Sequence, residues 1–130
     1  METAPLARNR VFVVEDSGPI RERLCAQLRE IEGVSVVGNT DTPQSAVEAI
    51  LRTRPDSVIL DIHLIGGSGI EVLREVHAKA PEVTFIVLTN HPHAQYRRAC
   101  LEAGASYFFD KSTEMDKVKE VIASLGATRH

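Results

Sequence analysis

Glu15-Asp16, Asp61, Thr89 and Asp110-Lys111 each follow directly on a short apolar run, and they are the residues of this chain best suited to chemistry. If each run is a strand, all of them stand at carboxyl ends of strands, the edge of an open α/β sheet where ligands bind. Three carboxylates gathered there repel one another unless a cation sits among them. An oxygen-only set of one or two carboxylates and several waters suits Mg²⁺, above all where a phosphate completes the shell. Lys111 opposite the metal can neutralise phosphoryl oxygens, and the Thr89 hydroxyl can hydrogen-bond another. Asp61, between these partners, is then the natural nucleophile, since carboxylate attack on phosphorus gives an aspartyl phosphate. Alignment and charge neutralisation by Mg²⁺ and Lys111 supply most of the catalysis such a transfer needs.

The elements that must position these groups are legible as five apolar runs: Val11–Val14, Val34–Val37, Ser57–Leu60, Thr84–Leu88 and Ser106–Phe109. They are rich in β-branched or aromatic residues and too short for helices. The first, third and fourth are apolar almost throughout, as in strands buried on both faces of a parallel sheet. Between them runs helical periodicity. Ile20, Leu24, Leu28 and Ile31 form one stripe, with Ser17 as the N-cap candidate and Pro19 in the first turn. Thr42-Pro43 opens a second helix carrying Ala46, Val47, Ile50 and Leu51, and Gly66-Gly67-Ser68-Gly69 leads into a third with Ile70, Leu73 and Val76. A fourth, after Pro92, has a thin face of alanines and Cys100. The fifth starts near Ser112 and buries Met115, Val118, Val121, Ile122 and Leu125.

Strict alternation implies crossover connections and an α/β fold: a doubly wound five-stranded parallel sheet with helices on both faces. In the flavodoxin-like order 2-1-3-4-5, the chain reverses direction between strands 1 and 3, so Glu15-Asp16 and Asp61 face each other across the switch point. Strand 2 ends in Gly38-Asn39, with no ionisable group, as befits the far edge. Residues 1–9 read as a flexible arm, 10–126 as the domain and 127–130 as a tail.

Composition narrows the function classes. The 130 residues make one domain's worth of chain. Lysine and arginine number 15 against 18 aspartates and glutamates, a formal charge of −3, which supplies no basic field for direct nucleic-acid binding. No apolar run approaches the ~20 residues of a membrane span, and the first ten residues lack a secretory core, so the expected place is the cytoplasm. Cys25 and Cys100 fall in helical stretches without a C-x-x-C pair and read as small hydrophobes.

Val13-Val14-Glu15-Asp16, Val58-Ile59-Leu60-Asp61, Gly66-Gly67-Ser68-Gly69-Ile70-Glu71, Ile86-Val87-Leu88-Thr89 and Gly104 to Ser112 are weak motifs singly but specific in this order and spacing. Together they resemble a bacterial two-component response-regulator receiver domain over about residues 10–126, and the stretch around Phe109–Ser112 is similar to receivers that precede helix-turn-helix output domains. The resemblance implies that Asp61 takes a phosphoryl group from a sensor histidine kinase or phosphotransfer protein. It implies that Asp16 ligates Mg²⁺ directly, Glu15 through water, and the His63 backbone carbonyl beside Asp61 completes the protein ligands. It matches Thr89 and Tyr107 to a switch pair and Lys111 to the phosphate partner. It also implies a phosphorylation-favoured homodimer or partner contact on the fourth helix, fifth strand and fifth helix, with no contact to membrane. The chain departs from the family's pattern in Glu15 for the commoner aspartate, Ile65-Gly66 for a proline-glycine turn, Asn90 after the threonine, and Ser112 for proline, which favours a trans Lys111–Ser112 bond.

Bland readings compete at each position. A lone acidic strand end is more often a cap or solvated charge, and Ser17, Thr42 and Ser112 are expected to be caps only. His63, His91 and His93 stand in loops without a cysteine and read as surface histidines. The glycine-rich stretch lacks the Lys-Ser ending of a P-loop. A flavin site of this topology would have its phosphate repelled by Glu15-Asp16, and an aspartyl phosphohydrolase would want D-x-D after strand 1. The serious alternative to a phosphorylated switch, itself no turnover enzyme, is a receiver-like module that binds proteins independently of phosphate. Nothing after Leu125 is long enough for an effector domain, which leaves a stand-alone receiver or the receiver part of a longer chain.

Overall fold

A computed structural model describes residues 9–128. Five strands, β1 (Asn9–Val14), β2 (Val34–Thr40), β3 (Ser57–Leu60), β4 (Thr84–Thr89) and β5 (Tyr107–Asp110), alternate with five helices, α1 (Gly18–Arg29), α2 (Pro43–Thr53), α3 (Gly69–Lys79), α4 (Ala94–Ala103) and α5 (Met115–Thr128). All sheet pairings are parallel and the order is β2-β1-β3-β4-β5, the expected doubly wound arrangement. A two-residue antiparallel ladder, His63–Leu64 against Gly67–Ser68, folds the β3–α3 loop onto itself.

Alternation of side chains along a strand explains the unbroken apolar runs. Val11, Val13, Ile59, Ile86 and Leu88 point to one face and pack with Leu24, Cys25 and Leu28 of α1 and Val118 and Ile122 of α5. Phe12, Val14, Val58, Leu60, Phe85 and Val87 point to the other, against Ala46 and Ile50 of α2, Val72, Leu73 and Val76 of α3, and Cys100 of α4. Cys100 is the one fully buried residue of α4, as its thin apolar face foretold, and burial pushes the Cys100 thiol up to about 11. No helix among the described residues is long and apolar enough to cross a membrane.

Several boundaries differ from the sequence reading. Asn9, assigned to the arm, is the first residue of β1 and fully buried. Its side-chain amide donates to the Ile122 carbonyl at 3.2 Å and its oxygen accepts from the Ser57 hydroxyl at 3.0 Å, so a polar residue at a strand start is satisfied inside the fold. Residues 127–128, assigned to the tail, continue α5, while residues 1–8 and 129–130 lie outside the described residues. Thr89 and Asp110 are the last residues of β4 and β5, the strand-end positions expected of them, while Lys111 stands one residue beyond.

The caps divide. Ser17 caps α1, its Oγ accepting from the Ile20 amide at 3.4 Å. Thr42 occupies the N-cap of α2 without accepting a backbone amide; its hydroxyl meets that of Ser45 instead. Ser112 caps nothing, because α5 begins three residues later and both Ser112 donors turn back to the Asp110 carboxylate. The cap of α3 is Ser68, whose Oγ accepts from Ile70 at 3.1 Å.

Gly104 ends α4 at φ 118°, and a Cβ there would lie 2.6 Å from the ring of His77 on α3. No L side chain fits that conformation and that space together. Gly104→Ala is therefore expected to lose about 1–3 kcal/mol of unfolding free energy by urea denaturation. An unchanged midpoint would show that the α4–β5 turn is not held by this contact.

Candidate functional site

The four strand ends named by sequence meet at one edge of the sheet. Parallel pairing sets Val14 beside Leu60 and Leu60 beside Val87, so Glu15 and Asp61 leave neighbouring strands side by side. The Asp61 amide donates to the Val14 carbonyl at 3.0 Å, which fixes the spacing between them. Lys111 reaches in from the end of β5. Its Nζ donates to Glu15 Oε1 at 2.6 Å and to Asp61 Oδ2 at 2.9 Å, and all three side chains are at least nine-tenths buried.

Each member of this triad is held from behind. The Ser17 amide donates to Glu15 Oε2 at 3.0 Å and the Arg21 guanidinium to the Glu15 carbonyl at 2.8 Å. Ser17 is thus more than a cap, contrary to the sequence reading. The Lys111 amide donates to the Thr89 carbonyl at 2.7 Å. Its loop is closed by the Asp110 amide donating to Glu114 Oε1 at 2.9 Å and by the Ser112 amide donating to Asp110 Oδ1 at 2.9 Å. The Ser112 hydroxyl and amide, both donating to Asp110 Oδ1, hold the Asp110 carboxyl below its ordinary range, and the Asp110 amide and Lys117 ammonium do the same for Glu114. Asp61 is seated by α3: the Gly69 amide donates to the Ile62 carbonyl at 2.6 Å, and a Cβ on Gly69 would fall 2.1 Å from the Asp61 carbonyl oxygen. Gly69 and Glu114 were not chosen as site residues from sequence. The only signal was the acid four residues after Asp110 and a glycine at the start of a helix, neither of which announces a contact.

The remaining predicted residues divide. Asp16 is half-buried and joins the cluster, with side-chain oxygens of Glu15, Asp16 and Asp61 all within 4.8 Å of one another. That donor set, carboxylate oxygens alone, fits a hard divalent cation such as Mg²⁺. Thr89 is fully buried and its Oγ1 accepts from the His91 amide at 3.0 Å. The His63 amide lies 3.4 Å from Asp61 Oδ1, while its ring turns onto that of His91. Tyr107 begins β5, the strand next to the one that Thr89 ends. It pairs with Ile86, three residues before Thr89, and its half-buried ring stacks on Phe109 at 6.0 Å. The Lys111–Ser112 bond is trans, as expected without proline.

The electrostatics follow from burial. Desolvation raises the Glu15 carboxyl above its ordinary value, against the lowering effect of its bond to Lys111. Burial alone would depress the Lys111 ammonium, but its bonds to Glu15 and Asp61 and their charges outweigh it, so the ammonium is raised. Lys111 therefore contributes stability that is complete below its ordinary 10.5 and lost as pH climbs through the higher folded value. Glu15, bound to its proton more tightly folded than unfolded, contributes stability that is lost as pH rises from 4.5 through its raised value.

The family model for the response regulator receiver domain matches residues 11–123. The chain is similar to response regulator GacA of Pseudomonas aeruginosa, 25% identical over 91% of this chain and 55% of that protein. It is 35% identical to a protein-glutamate methylesterase/protein-glutamine glutaminase of Alkalilimnicola ehrlichii, over 92% of this chain and 33% of that one. It thus spans about half the length of the regulator it matches and a third of the methylesterase. Among solved structures, the receiver domain of the putative response regulator NarL from Mycobacterium tuberculosis superposes with a TM-score of 0.85 at 25% identity, covering 96% of this chain and all of that one.

Removing the ammonium leaves two buried carboxylates face to face. Lys111→Met is expected to cost roughly 3 kcal/mol in urea denaturation at pH 8. The loss should shrink as pH falls and Glu15, whose carboxyl burial raises above its ordinary value, takes up its proton, and shrink again on adding excess Mg²⁺. Equal stability of variant and wild type at pH 8 would mean the ion triad carries no such weight.

Proposed function

The chain belongs to the response regulator receiver domain family of two-component signalling, and on that premise we propose that it is a phosphorylation-activated switch whose phosphoacceptor is Asp61. The observation that carries this reading is the convergence of Asp61, Glu15, Asp16 and Lys111 at one sheet edge, with Asp61 held between the acidic pair and the lysine. Asp61 attacks the phosphorus of a phosphohistidine on a sensor kinase or phosphotransfer protein. The new O–P bond replaces the donor's N–P bond, and the imidazole leaves with the electron pair. Residues Glu15, Asp16 and Asp61, with the His63 carbonyl, would hold Mg²⁺, which supplies neutralisation of the phosphoryl charge. Lys111 then exchanges one carboxylate partner for a phosphoryl oxygen, and Thr89, freed from the His91 amide, donates its hydroxyl to another. The domain acts as acceptor and signal, not as a turnover enzyme.

Readout is assigned to α4, β5 and α5. Thr89 ends the strand before α4, and the Lys111 loop leads directly into α5, so a change at the phosphoryl group pulls on both. α4 buries only Cys100 completely and is the least firmly held of the helices around the site. Moving a switch from 1:99 to 99:1 takes about 5.5 kcal/mol, within reach of a few charge-assisted bonds. Tyr107, on the same strand as the Lys111 loop, is the proposed second switch residue. A second copy of the domain or a partner protein is the proposed occupant of this surface.

Acetyl phosphate with Mg²⁺ should add one phosphoryl group to the wild type by intact mass, and none to Asp61→Asn. Uptake by that variant at the wild-type rate would move the acceptor elsewhere. No uptake by the wild type from acetyl phosphate or any phosphohistidine donor would favour the phosphate-independent binding module. Amide exchange with beryllofluoride should change most within residues 90–128; changes confined to α1 and α2 would sink the assigned readout surface.

A further inference from the structure

A groove of about 420 Å³ opens between the first two turns of α2 and of α3. Pro43 and Val47 of α2 and the buried Val72 of α3 give it an apolar floor. Glu48, Glu71 and Glu75 stand along it as exposed carboxylates, with no cation in the lining. Among the described residues the Glu48 and Glu71 side chains have neither an ion pair nor a hydrogen bond, and Glu75 meets only Lys79, at 3.8 Å. Three like charges around an apolar floor favour an occupant that brings a cation and an apolar side chain together. This chain presents such a pair itself. On α4, Ala94, Arg98 and Leu101 are exposed and follow one another at i, i+4 and i+7, one stripe of the helix. The Arg98 guanidinium has no partner among the described residues. Leu101 is 41% exposed, one of two large apolar side chains among those residues left open to solvent. From Arg98 to Leu101 the helix rises about 4.5 Å, within the roughly 6 Å that Glu71 to Glu75 cover along α3.

We propose that the α2–α3 groove of one copy receives α4 of a second copy, with Arg98 between Glu48 and Glu71 and Leu101 on the Val47–Val72 floor. Within one chain the two surfaces stay apart. α3 packs against both α2 and α4, and the Gly104 end of α4 is fitted against His77 of α3, which leaves the Arg98–Leu101 stripe in solvent. The mode is a helix laid into a groove, its apolar side chain on the floor and its charge on the rim. Because the two surfaces differ, the contact is heterologous. Each pair leaves one groove and one α4 free, so assembly runs past the dimer unless a ring closes. Exposed charges carry much of it, which makes it weak and sensitive to salt. The contact itself does not depend on Asp61 being the phosphoacceptor. Its response to phosphorylation does, and rests on α4 being the readout helix proposed above.

Sedimentation velocity of the whole chain, at concentrations up to about 1 mM, reads the contact directly. The wild type should form dimers and longer species at low salt and fall back toward monomer near about 1 M salt. Glu48→Arg with Glu71→Arg reverses the groove, and Arg98→Glu reverses the stripe. Each should weaken association at least about tenfold, while Glu22→Lys on α1 leaves it unaltered. Mixed in equal amounts, the groove and stripe variants should regain the association that each lacks alone, since opposite charges then meet in both kinds of groove. Circular dichroism confirms that both remain folded, as exposed positions allow. A wild type that stays monomeric throughout, association that survives either reversal, or a mixture that stays monomeric would overturn the proposal. A monomeric wild type whose groove takes up an arginine-bearing apolar peptide would likewise overturn the second copy and give the groove to another protein. Beryllofluoride with Mg²⁺ should alter the wild-type association constant severalfold. An unaltered constant would instead fail the readout at α4 and leave the contact standing.

Discussion

One ammonium between two buried carboxylates organises this molecule. Lys111 enters a space where Glu15 and Asp61 face each other with almost no solvent, and at neutral pH their mutual repulsion would otherwise open the strand ends. Removing one partner from a buried ionic group is strongly unfavourable. The structure accordingly supports each of the three: the Ser17 amide behind Glu15, the Thr89 carbonyl and the Asp110–Glu114 clasp around Lys111, and the start of α3 pressed against Asp61. Such an arrangement is poised rather than settled. Any group that brings both negative charge and acceptor oxygens can take over the ammonium, and a divalent cation can take over the carboxylates.

The fold makes that exchange consequential because the partners of the triad lie on different elements. Glu15 leads into α1, Asp61 into the β3–α3 loop, and Lys111 into α5. Two apolar cores, one on each face of the sheet, hold the strands in register, so the strand ends move little while the loops beyond them are free to reorganise. α4 is the exception among the helices, with a single fully buried side chain and a glycine-terminated end fitted around His77. In the proposed switch, a rigid sheet with one loosely anchored helix turns a local change of partner into a change of surface.

The rim of the same edge is tied to the residues beneath it through the backbone. The His63 amide lies 3.4 Å from Asp61 Oδ1 while its ring rests on that of His91. The loop after β4 likewise links Thr89 to His91 through the His91 amide. A displacement of either loop is therefore felt at Asp61 or Thr89.

The order of strands, the two-faced burial and the set Glu15, Asp16, Asp61, Thr89 and Lys111 were all legible in the sequence, because strand ends are marked by abrupt changes from apolar to ionisable residues and a parallel sheet aligns those ends. Motif spacing likewise sufficed to place the chain in its family. The burial of Asn9 was not legible, since its partners Ser57 and Ile122 are 48 and 113 residues away. Nor were the roles of Gly69, Ser112 and Glu114, which depend on close approach and turn geometry rather than on residue type. The neighbours of Tyr107 show the same limit: strand register sets it beside Ile86 and packing stacks its ring on Phe109, contacts that residue type does not announce. His63, His91 and His93 are exposed, as the sequence reading expected of surface histidines, while the contact between the His63 and His91 rings came only with the folded loops. Local pattern determines which residues begin, end and face the core of each element; which side chains then touch across long sequence separations is decided by packing, because those contacts exist only once the whole sheet is assembled.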